Sequence, residues 1–130
     1  MLLRTFFCSG TFLSQGSFLK PVMNDLNEKF APIRKGLLEF VVLRVISAEK
    51  LYVAEMLQRL AGTEFATQEG TLYPLLSRLR RESLVDYEWQ ESEAGPPRKY
   101  YRLTDTGRQA LDELQGYWRH LNDTLTGLGN

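Results

Sequence analysis

Between Glu69 and Leu84 the chain reads "EGTLYPLLSRLRRESL", and its leucines at 72, 75, 76 and 79 recur at steps of three and four. That spacing places them on one face of an α-helix and leaves little room for any other local structure. Thr67, just upstream, is an N-cap candidate because its hydroxyl can accept from the free amides of a first turn. At about 100° per residue, the face opposite the leucines carries Gly70, Pro74, Ser77 and Arg81, with Tyr73 on one flank and Arg78 on the other. Small and hydrogen-bonding groups edged by cations form a surface that can enter a groove closely and touch phosphates. A solvated face, the bland alternative, more often carries Glu, Gln and Lys.

The segments around this helix are readable in the same way. From Ile33 to Ile46 the residues are apolar on nearly all sides, and the length favours a helix that must be covered on more than one face. "SAEKLYVAEMLQRLAG" follows as a turn and a short amphipathic helix with Leu51, Tyr52, Met56, Leu57 and Leu60 inward and Gly62 as its stop. After the leucine helix, "LVDYEWQ" alternates Val85, Tyr87 and Trp89 with Asp86 and Glu88. "RKYYRLT" comes next, and "ESEAGPP" between the two marks a turn. The prediction is a hairpin with a basic second strand. Thr104 can cap a final helix in which Leu111, Leu114, Trp118, Leu121, Leu125 and Leu128 follow at alternating intervals of three and four. That 3.5-residue repeat, from Leu111 to Leu128, is a heptad seam, suited to a second helix lying along it and so to dimerisation.

Composition removes several classes of function. At 130 residues, with 43% hydrophobic and 25% charged side chains, the chain has the make-up of one small globular domain. One cysteine, Cys8, excludes an intramolecular disulfide framework, and one histidine, His120, leaves no Cys/His cluster for zinc, so neither a metal nor another cofactor is expected. Both counts fit a cytoplasmic location. No phosphate loop and no Ser or Cys nucleophile paired with a base is visible, so the chain does not read as an enzyme. No apolar run approaches the roughly 18 residues that span a bilayer, and no membrane partner is expected. Net charge is zero, yet Arg78, Arg80 and Arg81 cluster, and Arg98, Lys99 and Arg102 fall within five residues free of acid. Basic surface is therefore local, and a DNA partner stays open.

Residues 1–22, "MLLRTFFCSGTFLSQGSFLKPV", contain no acidic residue, and ordinary domain composition begins at Met23. The apolar run is broken by Cys8, Ser9, Gly10 and Thr11, which counts against a secretory signal. The remaining readings are an upstream start or a flexible arm. The expected organisation is thus an N-terminal extension over 1–22, a winged helix-turn-helix domain over 23–104 and a C-terminal dimerisation helix over 105–130. The expected fold class is mainly α with a small β-hairpin wing.

Three phrases in order carry a family resemblance. "KGLLEFVVLRVI", "EGTLYPLLSRLRRESLV" and "GPPRKYYRLTDTGRQAL" resemble the opening helix, the recognition helix, and the wing with its following helix in the PadR family of bacterial transcriptional regulators, specifically its short branch with a single C-terminal helix. The resemblance implies a homodimeric repressor bound to a partly palindromic double-stranded operator and released by a small-molecule effector. It implies DNA contacts from Thr71, Tyr73, Ser77, Arg78 and Arg81 on the recognition helix, and from Arg98 and Lys99 in the wing. Trp118, mid-seam, is the candidate effector residue, for a planar aromatic compound held between two indoles. The family usually has glycine where this chain has Ser83, so the serine must take a left-handed backbone conformation or the helix must end differently. The rival reading is a winged-helix adaptor that binds protein and not DNA.

Overall fold

The structure, a computed structural model, describes residues 27–129. The expected extension over 1–22, with Cys8, lies outside them. The core lies within the compact unit Leu37–Asn130. The described elements run α1 (Ala31–Val45), α2 (Val53–Leu60), α3 (Glu69–Arg81), β1 (Val85–Ser92), β2 (Gly95–Leu103) and α4 (Asp105–Leu128). This is the helical order with a two-stranded antiparallel hairpin that the apolar spacing predicts.

The core forms where the apolar stripes meet. Val42, Leu43 and Ile46 at the end of α1 and Val53 and Met56 of α2 pack with Leu72, Leu76 and Leu79 of α3. Val85, Tyr101 and Leu103 of the hairpin and Leu111 of α4 close the cluster. The three α3 leucines are fully buried, so α3 is held along its length and its opposite face is fixed outward. Of the four predicted inward leucines, Leu75 is half-buried and sits at the edge of the stripe.

Two ends differ from expectation. Helix α3 is capped by Gln68, not Thr67: extended backbone at Gln68 (φ −126°, ψ 162°) lets its carbonyl accept from the amides of Thr71 and Leu72, each at 3.0 Å, and so starts the helix one residue later. The hairpin is also longer than its sequence suggests. Strand pairing continues to Ser92 opposite Gly95, leaving only Glu93 and Ala94 as the turn. The register slips between Gln90 and Ser92. Pro96 and Pro97 fall in this irregular stretch, where missing amides cost no regular ladder bond.

The junction between α3 and α4 is tight. The amide of Ser83 donates to Arg80 O at 2.9 Å and that of Leu84 to Leu79 O at 2.9 Å, the crossed pair of bonds that ends a helix through a left-handed residue. Ser83 is that residue, at φ 65°, so the serine does accept the conformation that glycine takes more cheaply. Thr104 then caps α4, its hydroxyl accepting from Gly107 N at 2.9 Å and donating to Ser83 O at 2.6 Å. Thr104 N also donates to Leu84 O at 3.1 Å. The first turn of α4 lies so close to this linker that a Cβ on Gly107 would stand 2.0 Å from Leu84 O.

Candidate nucleic-acid interface

Burying the leucine stripe leaves α3 with an exposed surface containing Thr71, Tyr73, Pro74, Ser77 and Arg81. Its two flanks are chemically different. On the side toward α1, Arg78 donates to Glu39 Oε1 at 3.0 Å and lies 3.4 Å from Glu82 Oε2. Its guanidinium is thus held by two carboxylates, and the expected role of Arg78 as a DNA contact is not favoured by this placement. On the other side α3 faces the wing.

Strand pleat decides what the wing presents. Pairing of Val85 with Leu103, Tyr87 with Tyr101 and Trp89 with Lys99 puts these six side chains on the sheet face toward α3. Asp86, Glu88, Arg98, Tyr100 and Arg102 occupy the other face. Arg98 and Lys99, adjacent in sequence and expected to act together, start from opposite faces of the strand, yet both reach a depression lined by Tyr73 and Trp89. The Arg98 guanidinium lies 4.5 Å from the centre of the Tyr52 ring, and Tyr52 packs edge-on against Tyr100. Lys99 Nζ stands 4.5 Å from the Tyr87 ring and 5.3 Å from that of Trp89.

Two open depressions separate α3 from the wing. One, about 550 Å³, is lined by Ser77, Arg80, Arg81, Tyr87, Lys99 and Tyr101 among others. The second, about 330 Å³, lies between Tyr73 of α3, Tyr52, and Trp89 with Arg98 of the hairpin. Arg80, off the outward face that the helical wheel assigns, lines the first. Its guanidinium is 4.5 Å from the Tyr87 ring centre and 3.9 Å from Asp86 Oδ1. The signal that could have found it is the set Tyr73, Ser77 and Arg80, which follows the wing-side edge of α3 at steps of four and three.

The far face of the sheet is an ion-pair network. Lys50 bonds Glu88 at 2.7 Å, and Arg102 lies 3.8 Å from Glu88 and 3.7 Å from Asp86. The hydrogen bond and charge of Lys50 hold the Glu88 carboxyl below the usual carboxylate range. On the near face, burial pushes the Tyr101 phenol up from its ordinary value. Backbone bonds in both directions between Leu51 and Tyr101, at 3.0 and 2.8 Å, tie the hairpin to the segment before α2.

The seam of α4 is only partly covered. Leu111 is buried and Leu114 and Leu121 are half-buried, but Trp118, Leu125 and Leu128 are 42%, 70% and 79% exposed. Trp118 lines an open apolar depression of about 550 Å³ with Phe40, Val41 and Val45 of α1 and Phe65 of the α2–α3 connection. Among the described residues, no group of His, Cys, Asp and Glu is placed to hold a metal ion, and no helix is long and apolar enough to cross a membrane.

Residues 42–113, just over half of the chain, match the model of the transcriptional regulator PadR-like family. The chain belongs to that family. A PadR-like transcription factor from Bacteroides fragilis is 42% identical, with 78% of this chain and 98% of that one covered at a TM-score of 0.68. A PadR family transcriptional regulator from Eggerthella lenta is 31% identical over 83% of this chain and 95% of its own, at a TM-score of 0.73. A PadR-like regulator from Bacillus cereus is 38% identical over 72% and 92%, at 0.63. The PadR-like chain described here is accordingly a DNA-binding regulator of transcription and not an enzyme. Its helices and two-stranded hairpin follow the PadR-like winged-helix fold.

Proposed function

We propose that this PadR-like protein is a cytoplasmic homodimeric repressor that reads a partly palindromic operator through α3 and is released from it by a planar aromatic effector. The observation that carries the DNA reading is the rigid outward presentation of Thr71, Tyr73, Ser77 and Arg81. These small, hydrogen-bonding and cationic groups stand on a helix whose other face is locked into the core. In this reading α3 lies in the major groove, Thr71, Tyr73 and Ser77 meet base edges, and Arg81 meets phosphate. Lys99 and Arg98 approach the backbone from the wing. Arg78 serves instead to hold α3 to α1 through Glu39.

Dimerisation is supported by the bare half of the α4 seam. A 24-residue helix is about 36 Å long, and beyond Trp118 its apolar stripe is largely uncovered within one chain. A second copy of α4 covers that stripe through Leu114, Trp118, Leu121, Leu125 and Leu128, with Leu111 anchoring the helix to its own domain. Two-fold symmetry then brings the two Trp118 side chains toward each other beside the apolar depression of α1. A flat aromatic effector fits between indoles, and by shifting the helices it alters the separation of the two recognition helices.

Selection of bound duplexes from a random DNA pool by the purified protein tests this reading. An enriched inverted repeat, with half-sites about 34–36 Å apart, is the expected result. Failure to enrich any site would favour the adaptor alternative. Quenching of tryptophan fluorescence by planar aromatics in the wild type and in Trp89→Phe, but not in Trp118→Phe, tests the effector site. Unchanged quenching in Trp118→Phe would leave Trp118 as a packing residue.

A further inference from the structure

A recognition helix in the major groove and a wing at the adjoining minor groove are separated by one phosphodiester strand, because that strand is the wall between the two grooves. The cleft between α3 and the hairpin must therefore straddle a DNA backbone. The side chains at its mouth suit a phosphate. Tyr87 stands in the cleft with two cations against its ring: Arg80 from α3 and Lys99 from β2, each 4.5 Å from the ring centre. Arg80 belongs to the helix and Lys99 to the wing, so the ring braces one cation from each wall. Ser77, Arg81 and one acid, Asp86, line the same cleft. Strand register supports the arrangement, since Lys99 pairs directly with Trp89 and lies diagonal to Tyr87, within reach of both rings.

From this geometry we infer that Arg80, Tyr87 and Lys99 form a phosphate clamp that grips the DNA strand running between recognition helix and wing. Arg80, and not its neighbour Arg78, is the arginine on α3 that works with the wing. Arg78 is turned to Glu39 at 3.0 Å and spans away from the cleft. The acid nearest Arg80, Asp86, is also engaged elsewhere. It accepts the Tyr87 amide at 2.8 Å and lies 3.7 Å from Arg102, so its 3.9 Å approach to Arg80 is a loose contact that a phosphate can replace. The tyrosine ring keeps both long side chains extended toward the cleft in the free protein, which lowers the entropy lost when the phosphate arrives. Both cations meet backbone and not bases, so the clamp adds affinity to every sequence alike.

The clamp rests on the DNA reading above, and its test separates the two. Affinity for the selected operator and for an unrelated duplex is measured by fluorescence anisotropy across a salt series. Arg80→Gln and Lys99→Gln should each weaken both duplexes and each make the slope of log K against log salt shallower by about 0.9, the value for one phosphate contact. Arg78→Gln should leave the slope at the wild-type value. Tyr87→Leu removes no charge, yet should weaken both duplexes by about two- to five-fold for each cation released, while Tyr87→Phe keeps the ring and the affinity. Should the leucine variant fail to fold, the Arg80 and Lys99 variants, at exposed and half-buried side chains, still decide the matter. A wild-type slope in Arg80→Gln overturns the clamp and leaves DNA binding standing. Absence of salt-dependent duplex binding in the wild type overturns both.

Discussion

Gly107→Ala adds one methyl group where the structure leaves no space. The new Cβ would lie 2.0 Å from Leu84 O and 3.2 Å from Leu103 Cδ2. The obstacle at Leu84 is backbone, which cannot swing aside like the end of a side chain. Restoring contact distance requires the start of α4 to retreat from the Ser83–Leu84 linker by more than 1 Å, a roughly methyl-sized displacement. Thr104 moves with it. Its amide bond to Leu84 O at 3.1 Å and its hydroxyl bond to Ser83 O at 2.6 Å both weaken. Overpacking costs about 1–3 kcal/mol and the two hydrogen bonds about 1 kcal/mol each. The better helix propensity of alanine returns about 1 kcal/mol, leaving a net loss of about 2–4 kcal/mol. For a domain of this size each 1 kcal/mol lowers Tm by about 4–8 °C, so differential scanning calorimetry should show a fall of about 10 °C or more. Gly116→Ala is the control on the same helix: nothing lies within 4 Å of its added Cβ, and Tm should hold or rise slightly. A Gly107→Ala variant as stable as the wild type would show that α4 does not approach the α3–wing linker this closely.

Ser83→Gly should stabilise the fold by about 1 kcal/mol, seen as a higher urea midpoint, because glycine takes φ 65° without a Cβ penalty. Leu125→Asp should turn the proposed dimer into monomers in sedimentation and lower operator affinity, since an unpaired charge in an apolar seam is costly; a variant that stays dimeric would move the interface elsewhere. Glu88 is held below its unfolded pKa by Lys50, so its pairing stabilises the fold above the unfolded value and is lost as pH falls through the folded one. Lys50→Met should therefore flatten the loss of stability as pH falls below the ordinary glutamate value of 4.5, read from urea midpoints, and an unaltered pH profile would show that the pair contributes nothing.

What was legible in the sequence was whatever depends on neighbours along the chain. The leucine spacing of α3, the Val85–Trp89 alternation and the Thr104 cap all follow from residues within one or two turns of each other, whereas at Ser83 the sequence leaves open a left-handed residue or a different helix end. The extent of the hairpin was masked by Gly95, Pro96 and Pro97, which read locally as a loop but continue the strand through an irregular register. Gln68 displaced Thr67 as the cap because the first turn closes on its carbonyl, a choice that side-chain capping preference does not reveal. The candidate interface was less legible for a different reason. Arg78 and Glu39 are 39 residues apart, so no local pattern shows that this arginine is tied back to α1. Arg98 meets the Tyr52 ring and Lys99 the Tyr87 and Trp89 rings, partners that only the strand register reveals. Arg80 gains its place from Tyr87 across the cleft, a partner that a helical wheel cannot display.

The central claim is that the outward face of α3 reads DNA sequence, and it is tested most directly by selecting operators from one random duplex pool with the wild type, Arg81→Ala and Ser77→Asn side by side. Wild type and Arg81→Ala should enrich the same inverted repeat, the latter more weakly, while Ser77→Asn should enrich a repeat changed at the same position in each half-site. Identical sites from wild type and Ser77→Asn, or no enrichment by the wild type, would contradict the account.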